Sequence, residues 1–481
     1  MDKNTRICIV GGGPAGLSAG MYLEQKGYEN YTILARLDRV GGKCWSPTYN
    51  GRRYEMGAIM GVPSYYAVHD VEEFCGITHD GPKLNRNYKN KNGKVIEPFE
   101  PKKNILKIPR LLKMKKQLKE FGELLETKYY GYDVNGHRGV AEGRYDGFAC
   151  TPEREPISGE NPNLKDLALP FSEFCKKNNV ELVQDVWIGP YTSFGYGYFD
   201  EIPAAYVMKY LDTTTAIEFI AMRLWTWKDG TQSIYEAVNK KLEHPAHLNT
   251  EVVRIERPEG GKVYVTLRKY EPDALTHPIA SGYGSASASS SAPSVKEWTE
   301  EFDKLIVTAP LDMFLKYADA DETEQDLFSK IRHEEYVDFI AKYRENDGPT
   351  ISGYIFDNMT PERRGHAMVY YHRWEDLRDN CPCSVYALRN HEGSEDVPYD
   401  WTIKTMRDDM AICGYPVEER LYEQETYYCP HITPDDYAAG WYDSLDALQG
   451  RRGTYYGGEI LSFGDMEDTC ASSRDIVGRF F

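Results

Sequence analysis

The sequence predicts an α/β protein built on a parallel sheet, and three observations support this. The apolar run Ile7-Cys8-Ile9-Val10 predicts a buried strand, and glycines at GxGxxG spacing follow it in Gly11-Gly12-Gly13-Pro14-Ala15-Gly16. A helical pattern begins at Leu17, and a second apolar strand is predicted over Tyr31 to Ala35. Strand, glycine turn, helix and strand in this order form the βαβ unit that binds dinucleotides.

Each glycine of the turn has a physical task. Gly11 permits the tight turn, Gly13 lets the backbone approach a pyrophosphate, and Gly16 lets the helix pack on the strand. Pro14 and Ala15 are expected to contact the cofactor with these glycines, because the unpaired N–H groups and positive dipole end of the following helix favour phosphate. The motif therefore predicts a dinucleotide site at the end of the first strand.

The segment after the second strand indicates which dinucleotide binds. Arg36-Leu37-Asp38-Arg39-Val40-Gly41-Gly42-Lys43 resembles the R-x-x-R-x-G-G-[RK] segment of FAD-dependent oxidases. We therefore expect non-covalent FAD, with Arg36, Gly42 and Lys43 along it; a covalent link to Cys470 is a minor alternative. The acid expected at the end of the second strand, which would bind the ribose, is replaced by Ala35. Asp38, or backbone and water, would then hold the ribose, and a lost acceptor costs roughly 1–3 kcal/mol.

Composition narrows the protein class. The chain has 481 residues, 41% of them hydrophobic and 27% charged, and a net charge of −18, which argues against nucleic-acid binding. No stretch approaches 18 apolar residues, and the first strand begins too early for a signal peptide. The ten cysteines form no CxxC pair, which favours reduced thiols and no metal site. We expect a cytoplasmic protein; its oligomeric state is left open.

The pattern along the chain predicts an interrupted cofactor domain. Further strands are predicted at 251–256, 262–267 and 304–310, and a last strand at 453–459 leads into a glycine turn and an acid. The expected division is a cofactor domain over 1–75, 226–310 and 439–481, a substrate domain over 76–104 and 311–438, and a helical cap over 105–225. Residues 137–163 and the Ser-rich 272–295 are expected to be insertions, the latter a disordered loop.

A basic segment lies at the start of the predicted cap. Residues 102–119 carry eight Lys or Arg residues, and apolar residues recur there at roughly helical spacing. A cap helix with a solvated basic face is the first interpretation. Transient contact with an anionic membrane surface is the second.

Several strings together resemble the flavin-dependent polyunsaturated fatty acid isomerases, a family within the flavin amine oxidase-like superfamily. The resemblance spans nearly the whole chain outside the two insertions. The strings that carry it are Gly16 to Gln25, Gly51 to Tyr65, Asp80 to Leu84, Phe194 to Gly197, Pro203 to Asp212, Tyr370 to Trp374 and Gly440 to Tyr442.

The resemblance implies an amine oxidase-like fold, with a Rossmann-type FAD domain, a mixed-sheet substrate domain and a helical cap over an apolar channel. It implies that Ala58, Ile59 and Met60 face the flavin, that Val253 presents backbone to the adenine, and that Glu459 binds the ribityl–phosphate portion. It also implies that Arg86 grips a substrate carboxylate and that Phe219 stacks over the channel mouth. Arginine suits that role because its planar fork makes two parallel hydrogen bonds to a carboxylate. A surface salt bridge for Arg86 and core packing for Phe219 are the alternatives.

The function implied is isomerisation of a linoleate-like free fatty acid to a conjugated diene, as part of lipid metabolism. Hydride would leave the methylene between two double bonds for flavin N5 and return to the same molecule. The protein would then supply no catalytic side chain, only positioning and exclusion of water. The main alternative is an FAD-dependent oxidase or desaturase acting on another apolar or amine substrate. A lipid-binding protein without chemistry and a nicotinamide dehydrogenase are further alternatives.

Overall fold

The structure is a computed structural model that describes residues 1–99, 108–129, 162–210, 213–271, 294–343, 351–374, 382–391, 394, 396–462 and 464–481. The predicted insertions therefore lie largely outside the described residues. Residues 294 and 295, placed in the disordered loop by the prediction, instead begin a strand.

The described residues form sixteen strands. They are β1 (Ile7–Val10), β2 (Tyr31–Leu34), β3 (Thr48–Tyr49), β4 (Arg52–Arg53), β5 (Asn85–Lys89), β6 (Val95–Ile96), β7 (Thr250–Glu256), β8 (Val263–Tyr270), β9 (Ser294–Phe302), β10 (Lys304–Val307), β11 (Arg332–Tyr343), β12 (Ile351–Ile355), β13 (Val369–His372), β14 (Cys383–His391), β15 (Val417–His431) and β16 (Thr454–Tyr456).

Sixteen α-helices connect and cover these strands within the described ranges. They are α1 (Pro14–Gln25), α2 (Tyr66–Cys75), α3 (Ile108–Thr127), α4 (Leu164–Leu167), α5 (Phe171–Lys177), α6 (Gln184–Thr192), α7 (Ala204–Tyr210), α8 (Thr213–Ile220), α9 (Gln232–Lys241), α10 (Leu311–Phe314), α11 (Glu322–Phe328), α12 (Tyr399–Ile412), α13 (Pro434–Ala438), α14 (Trp441–Asp446), α15 (Glu459–Ser462) and α16 (Met466–Phe480).

A four-stranded parallel sheet of order β16-β10-β1-β2 carries the predicted nucleotide-binding unit. Val10 pairs with Leu34 on one side and with Val307 on the other. Every side chain of β1 is buried, as expected for a central parallel strand covered on both faces. The four strands come from all three segments predicted for the cofactor domain. The exact domain boundaries remain a prediction.

A seven-stranded mixed sheet of order β15-β11-β14-β13-β12-β5-β6 forms the second layer, and β7, β8 and β9 form a three-stranded sheet. The strands of the seven-stranded sheet lie in the segments predicted for the substrate domain. Helices α3 to α8 occupy the predicted cap segment. No helix in the described ranges has the length and apolar character needed to cross a bilayer.

Candidate functional site

A cavity of about 310 Å³ lies at the carboxyl ends of the parallel strands. Residues 11–15 line it after β1, residues 34–37 at the end of β2, residues 308–313 after β10, and Gly457 after β16. Ligands of open α/β sheets bind at this edge, in the crevice where strand order reverses. The cavity is therefore at the position that the glycine motif predicts.

Gly11 and Gly16 of the glycine turn have no room for side chains. Gly11 has φ +126°, and a Cβ placed on it would lie 2.4 Å from Thr308 Oγ1. A Cβ on Gly16 would lie 1.9 Å from the Gly11 carbonyl oxygen, so any side chain there would push α1 off the strand. The Gly13 N-cap makes no side-chain capping bond, and Gly13, Pro14 and Ala15 line the cavity. The helix thus presents its N-terminal N–H groups to an anion in the cavity.

Polar groups in the wall also fit a dinucleotide. Arg36, Gly42 and Lys43 line the cavity, as does Glu459 from α15, whose carboxylate pairs with the Lys43 ammonium. Within the described structure, Arg36 Nε and Glu459 Oε1 are buried and make no hydrogen bond to protein. Buried polar atoms of native proteins are nearly always satisfied, so these two atoms suit phosphate and hydroxyl groups of a bound cofactor. The residues present fit FAD.

The ribose side of the cavity differs from the sequence expectation. Ala35 lines the cavity and is held by backbone bonds to His247 and Thr250, whereas Asp38 is not in the wall. Glu251, adjacent to Thr250 on β7, does line the cavity. Its Oε2 accepts a hydrogen bond from the Tyr270 hydroxyl at 2.6 Å. A carboxylate is therefore present near Ala35, on a neighbouring strand.

The flavin-facing segment is placed in part as expected. Gly57 and Ala58 line the cavity, while Ile59 and Met60 are buried outside its wall. Val252, rather than the predicted Val253, lines the cavity from β7. Gly16 supports the turn from behind and is not in the wall. Four residues of the predicted set thus lie outside the cavity wall, and their contact with the cofactor stays a prediction: Ile59, Met60, Val253 and Gly16.

A buried ion pair that sequence reasoning missed holds this segment. Glu55 is fully buried and pairs with Arg373 at 2.8 Å. It also accepts hydrogen bonds from the Ser46 hydroxyl at 2.6 Å and from the Thr231 amide at 3.0 Å. Burial raises the pKa of the Glu55 carboxyl, and the Arg373 charge opposes that rise. Glu55 and Arg373 are 318 residues apart, so no local pattern connects them.

Arg86 and Phe219 lie outside the wall of the cofactor cavity but contact each other. The Arg86 guanidinium donates a hydrogen bond to the Phe219 carbonyl and a second one, of 3.0 Å, to the Tyr88 hydroxyl. It lies 5.7 Å from the centre of the Tyr354 ring, which Phe194 contacts at 6.3 Å. Arg86 forms no salt bridge with a carboxylate among the described residues, and its Nε is buried without a hydrogen bond. Within the described part of the chain, Arg86 thus has the environment expected of a binding residue rather than that of a surface salt bridge, and its role stays a prediction.

A row of aromatic rings connects this arginine to the cofactor cavity. Phe219 contacts Tyr210 at 6.3 Å, and Tyr210 contacts Tyr196 at 4.2 Å between ring centres. Tyr196 contacts Tyr428 at 6.3 Å, and Tyr428 lines the cavity. Burial raises the pKa of Tyr196, Tyr210 and Tyr428 well above its usual value, so the row stays uncharged. A row of buried, uncharged aromatic rings thus extends from Arg86 to the cofactor cavity.

Comparison with known proteins defines the class. Residues 14–341 match the family described as flavin containing amine oxidoreductase. The chain belongs to this family, and FAD is its cofactor. The predicted fold class and cofactor are confirmed.

Within the family the match is more specific. A solved CLA-producing fatty acid isomerase from P. acnes is 43% identical, covers 100% of both chains and has a TM-score of 0.83. The sequence resemblance to the fatty acid isomerases is thereby confirmed.

More distant proteins agree with this placement. A polyenoic fatty acid isomerase of Ptilota filicina is 23% identical over 288 residues, which are 54% of this chain and 52% of that protein. The chain thus spans about half the length of that curated relative. A putrescine oxidase structure is 14% identical, with a TM-score of 0.64 over 99% of this chain and 98% of the other. That likeness concerns the fold alone.

Proposed function

We propose that the protein is an FAD-dependent isomerase that converts a polyunsaturated free fatty acid into a conjugated diene. The observation that carries the proposal is the partly buried Arg86, with its Nε enclosed and without a hydrogen bond, at one end of an aromatic row whose other end, Tyr428, lines the cofactor cavity. The arrangement suits an amphiphile with a carboxylate head and a long unsaturated tail. The similarity of this chain to the P. acnes enzyme supports the same substrate class.

The cofactor would be held by the residues that line its cavity. Gly11, Gly13, Pro14 and Ala15 would bind the pyrophosphate through backbone, and Arg36, Gly42 and Lys43 would lie along it. When bound, FAD supplies reversible hydride acceptance.

The protein's own contribution is positioning. Arg86 would bind the carboxylate through charge-assisted hydrogen bonds, for which it has spare donors in a low-polarity setting. The rings of Phe219, Tyr210 and Tyr196 would confine the tail and exclude water from the reacting carbons. With the head fixed, the distance from Arg86 to the flavin selects which methylene reacts.

The isomerase and oxidase hypotheses differ in whether the reaction needs oxygen. We expect the purified flavoprotein, incubated with linoleate without air, to produce conjugated-diene absorbance and no peroxide. Substrate deuterated at the methylene between the double bonds should retain the label elsewhere in the same product molecule. Product formation that requires oxygen and releases one peroxide per turnover would instead establish the oxidase. Loss of all deuterium to solvent would also contradict the isomerase.

Contact with a membrane surface is a second part of the proposal, because a free fatty acid partitions into lipid. The described part of the basic segment, α3, exposes Ile108 and Leu112 together with Lys113, Lys115 and Lys116. Vesicles containing anionic lipid should therefore retain the protein at low salt, and neutral vesicles should not. Cytoplasmic localisation, as expected from the composition, is proposed with it.

A further inference from the structure

A cluster of two histidines and a glutamate lies outside the cofactor cavity and the aromatic row. His69 and Glu72 are three residues apart on α2 and so share one face of the helix. His69 Nδ1 lies 2.8 Å from Glu72 Oε2. The helix ends at Cys75, and the next residue, Gly76, turns the chain with a φ of +74°. This turn brings His79 Nδ1 to 3.4 Å from Glu72 Oε1.

The carboxylate of this cluster is buried and oriented. Glu72 is 5% exposed, and its Oε1 accepts a 2.6 Å hydrogen bond from the indole nitrogen of the buried Trp227. A ligand carboxylate in a metal site is characteristically held in this way by a group that does not itself touch the metal. The two histidine side chains are 34% and 43% exposed, so solvent reaches the cluster from their side.

We propose that His69, Glu72 and His79 form a binding site for a divalent transition-metal ion of the Zn²⁺ class. One ligand atom from each residue lies within 4.8 Å of the others. His69 Nδ1 and His79 Nδ1 face different oxygens of the Glu72 carboxylate, at 2.8 and 3.4 Å. Both spacings are comparable with the roughly 3.3 Å between ligand atoms of a tetrahedral zinc ion, so one or both carboxylate oxygens would serve as ligand beside the two nitrogens. Two imidazoles and one carboxylate leave the fourth position to a solvent molecule. Because Nδ1 faces Glu72 in both histidines, Nε2 can keep its proton on the solvent side.

The bound ion would join two parts of the chain. His69 and Glu72 belong to α2, and His79 belongs to the loop that leads to β5 and Arg86. Trp225 packs against both imidazoles, at 5.2 Å from His69 and 4.3 Å from His79. An ion that binds the folded state alone stabilises it by mass action. The site therefore acts as a clamp on the segment that places Arg86.

The test uses the FAD-loaded full-length protein and Zn²⁺ as the probe. Equilibrium dialysis with metal analysis measures stoichiometry and affinity, and thermal unfolding measures stabilisation. The variants are His79→Ala and the double variant His69→Ala/His79→Ala, with retained flavin absorbance as the check on folding. Cys75→Ser is the matched control, since this partly buried thiol at the end of α2 is a zinc-binding group on the same helix that is not part of the proposed site.

We expect the wild type to bind one more equivalent of Zn²⁺ than the double variant. Because only the difference between the two proteins is used, zinc bound at other sites does not affect the result. Removing a group that only orients a ligand costs 10–100-fold in affinity, so losing the ligand His79 should cost about 100-fold or more. Zn²⁺ should raise the unfolding temperature of wild type and Cys75→Ser, and not that of the double variant. Equal zinc binding by wild type and double variant, or loss of binding in Cys75→Ser with retention in the histidine variants, would overturn the site. If His79→Ala loses flavin, His79→Asn replaces it with the same expectations.

Discussion

The guanidinium of Arg86 donates a hydrogen bond to the backbone carbonyl of Phe219, the residue next to the last of α8. The final carbonyls of a helix have no partner within the helix, and a cation near them interacts favourably with the helix dipole. Arg86 therefore fixes the end of α8, and with it the position of the Phe219 ring. The contact with Phe219 uses Nη2 of the guanidinium, and the contact with Tyr88 uses Nη1. Nε has no hydrogen bond among the described residues.

Arg86→Ala and Arg86→Lys together separate the binding role of Arg86 from its structural role. Removing one partner of a buried charge pair typically costs 2–5 kcal/mol, so KM for linoleate should rise by roughly 30-fold or more. Arg86→Lys keeps the positive charge near α8 but loses the planar guanidinium. Relative to Arg86→Ala, it should restore the stability of the fold more than the affinity for linoleate. Steady-state kinetics, thermal unfolding and flavin absorbance measure the three effects. An unchanged KM in Arg86→Ala would exclude the carboxylate clamp.

The aromatic row can be tested at Tyr210, its central ring. Tyr210→Phe keeps the ring and should retain most of the turnover. Tyr210→Ala opens a space between Phe219 and Tyr196, and misplacement of the tail by about 1 Å can cost 10²-fold in rate. Turnover on linoleate and the distribution of double-bond positions in the product check this. Equal activity of both variants would place the substrate elsewhere.

The parts of the site that were predictable are local in the chain. The strand, glycine turn and helix over residues 7–25 follow each other directly, so sequence spacing alone identifies them. The pair Glu55–Arg373 is not local, because its members are 318 residues apart and meet only when the sheets pack. The cavity is lined by Val252 rather than Val253, and which of the two residues faces it depends on an irregular strand pairing. The pairing of β7 with β8 shifts between Val252 and Arg254, and such an irregularity reverses the alternation of faces.

The burial of His372 should make the free energy of unfolding depend on pH. Burial, followed by the nearby Lys89 charge, lowers the pKa of His372 to about 3, against about 6.5 when unfolded. Between these values the unfolded chain binds the extra proton, so stability falls as pH drops from about 6.5 towards 3. The slope from this group is at most ~1.4 kcal/mol per pH unit. His372→Phe should unfold less steeply with acid, as followed by circular dichroism. An identical slope in the variant would show that other groups dominate.

Glu251 and Ala35 together predict how tightly FAD is held. If Glu251 binds the ribose in place of the acid missing at Ala35, Glu251→Gln should weaken FAD binding by about 1–3 kcal/mol, roughly 5- to 150-fold. Its bond from Tyr270 can persist to the amide oxygen, so the fold is retained. Ala35→Glu should strengthen FAD binding in the Glu251→Gln background and change it less in the wild type, because one acceptor already serves the ribose. Flavin titration of the apoprotein measures all four dissociation constants. Equal gains from Ala35→Glu in both backgrounds would show that Glu251 does not contact the ribose.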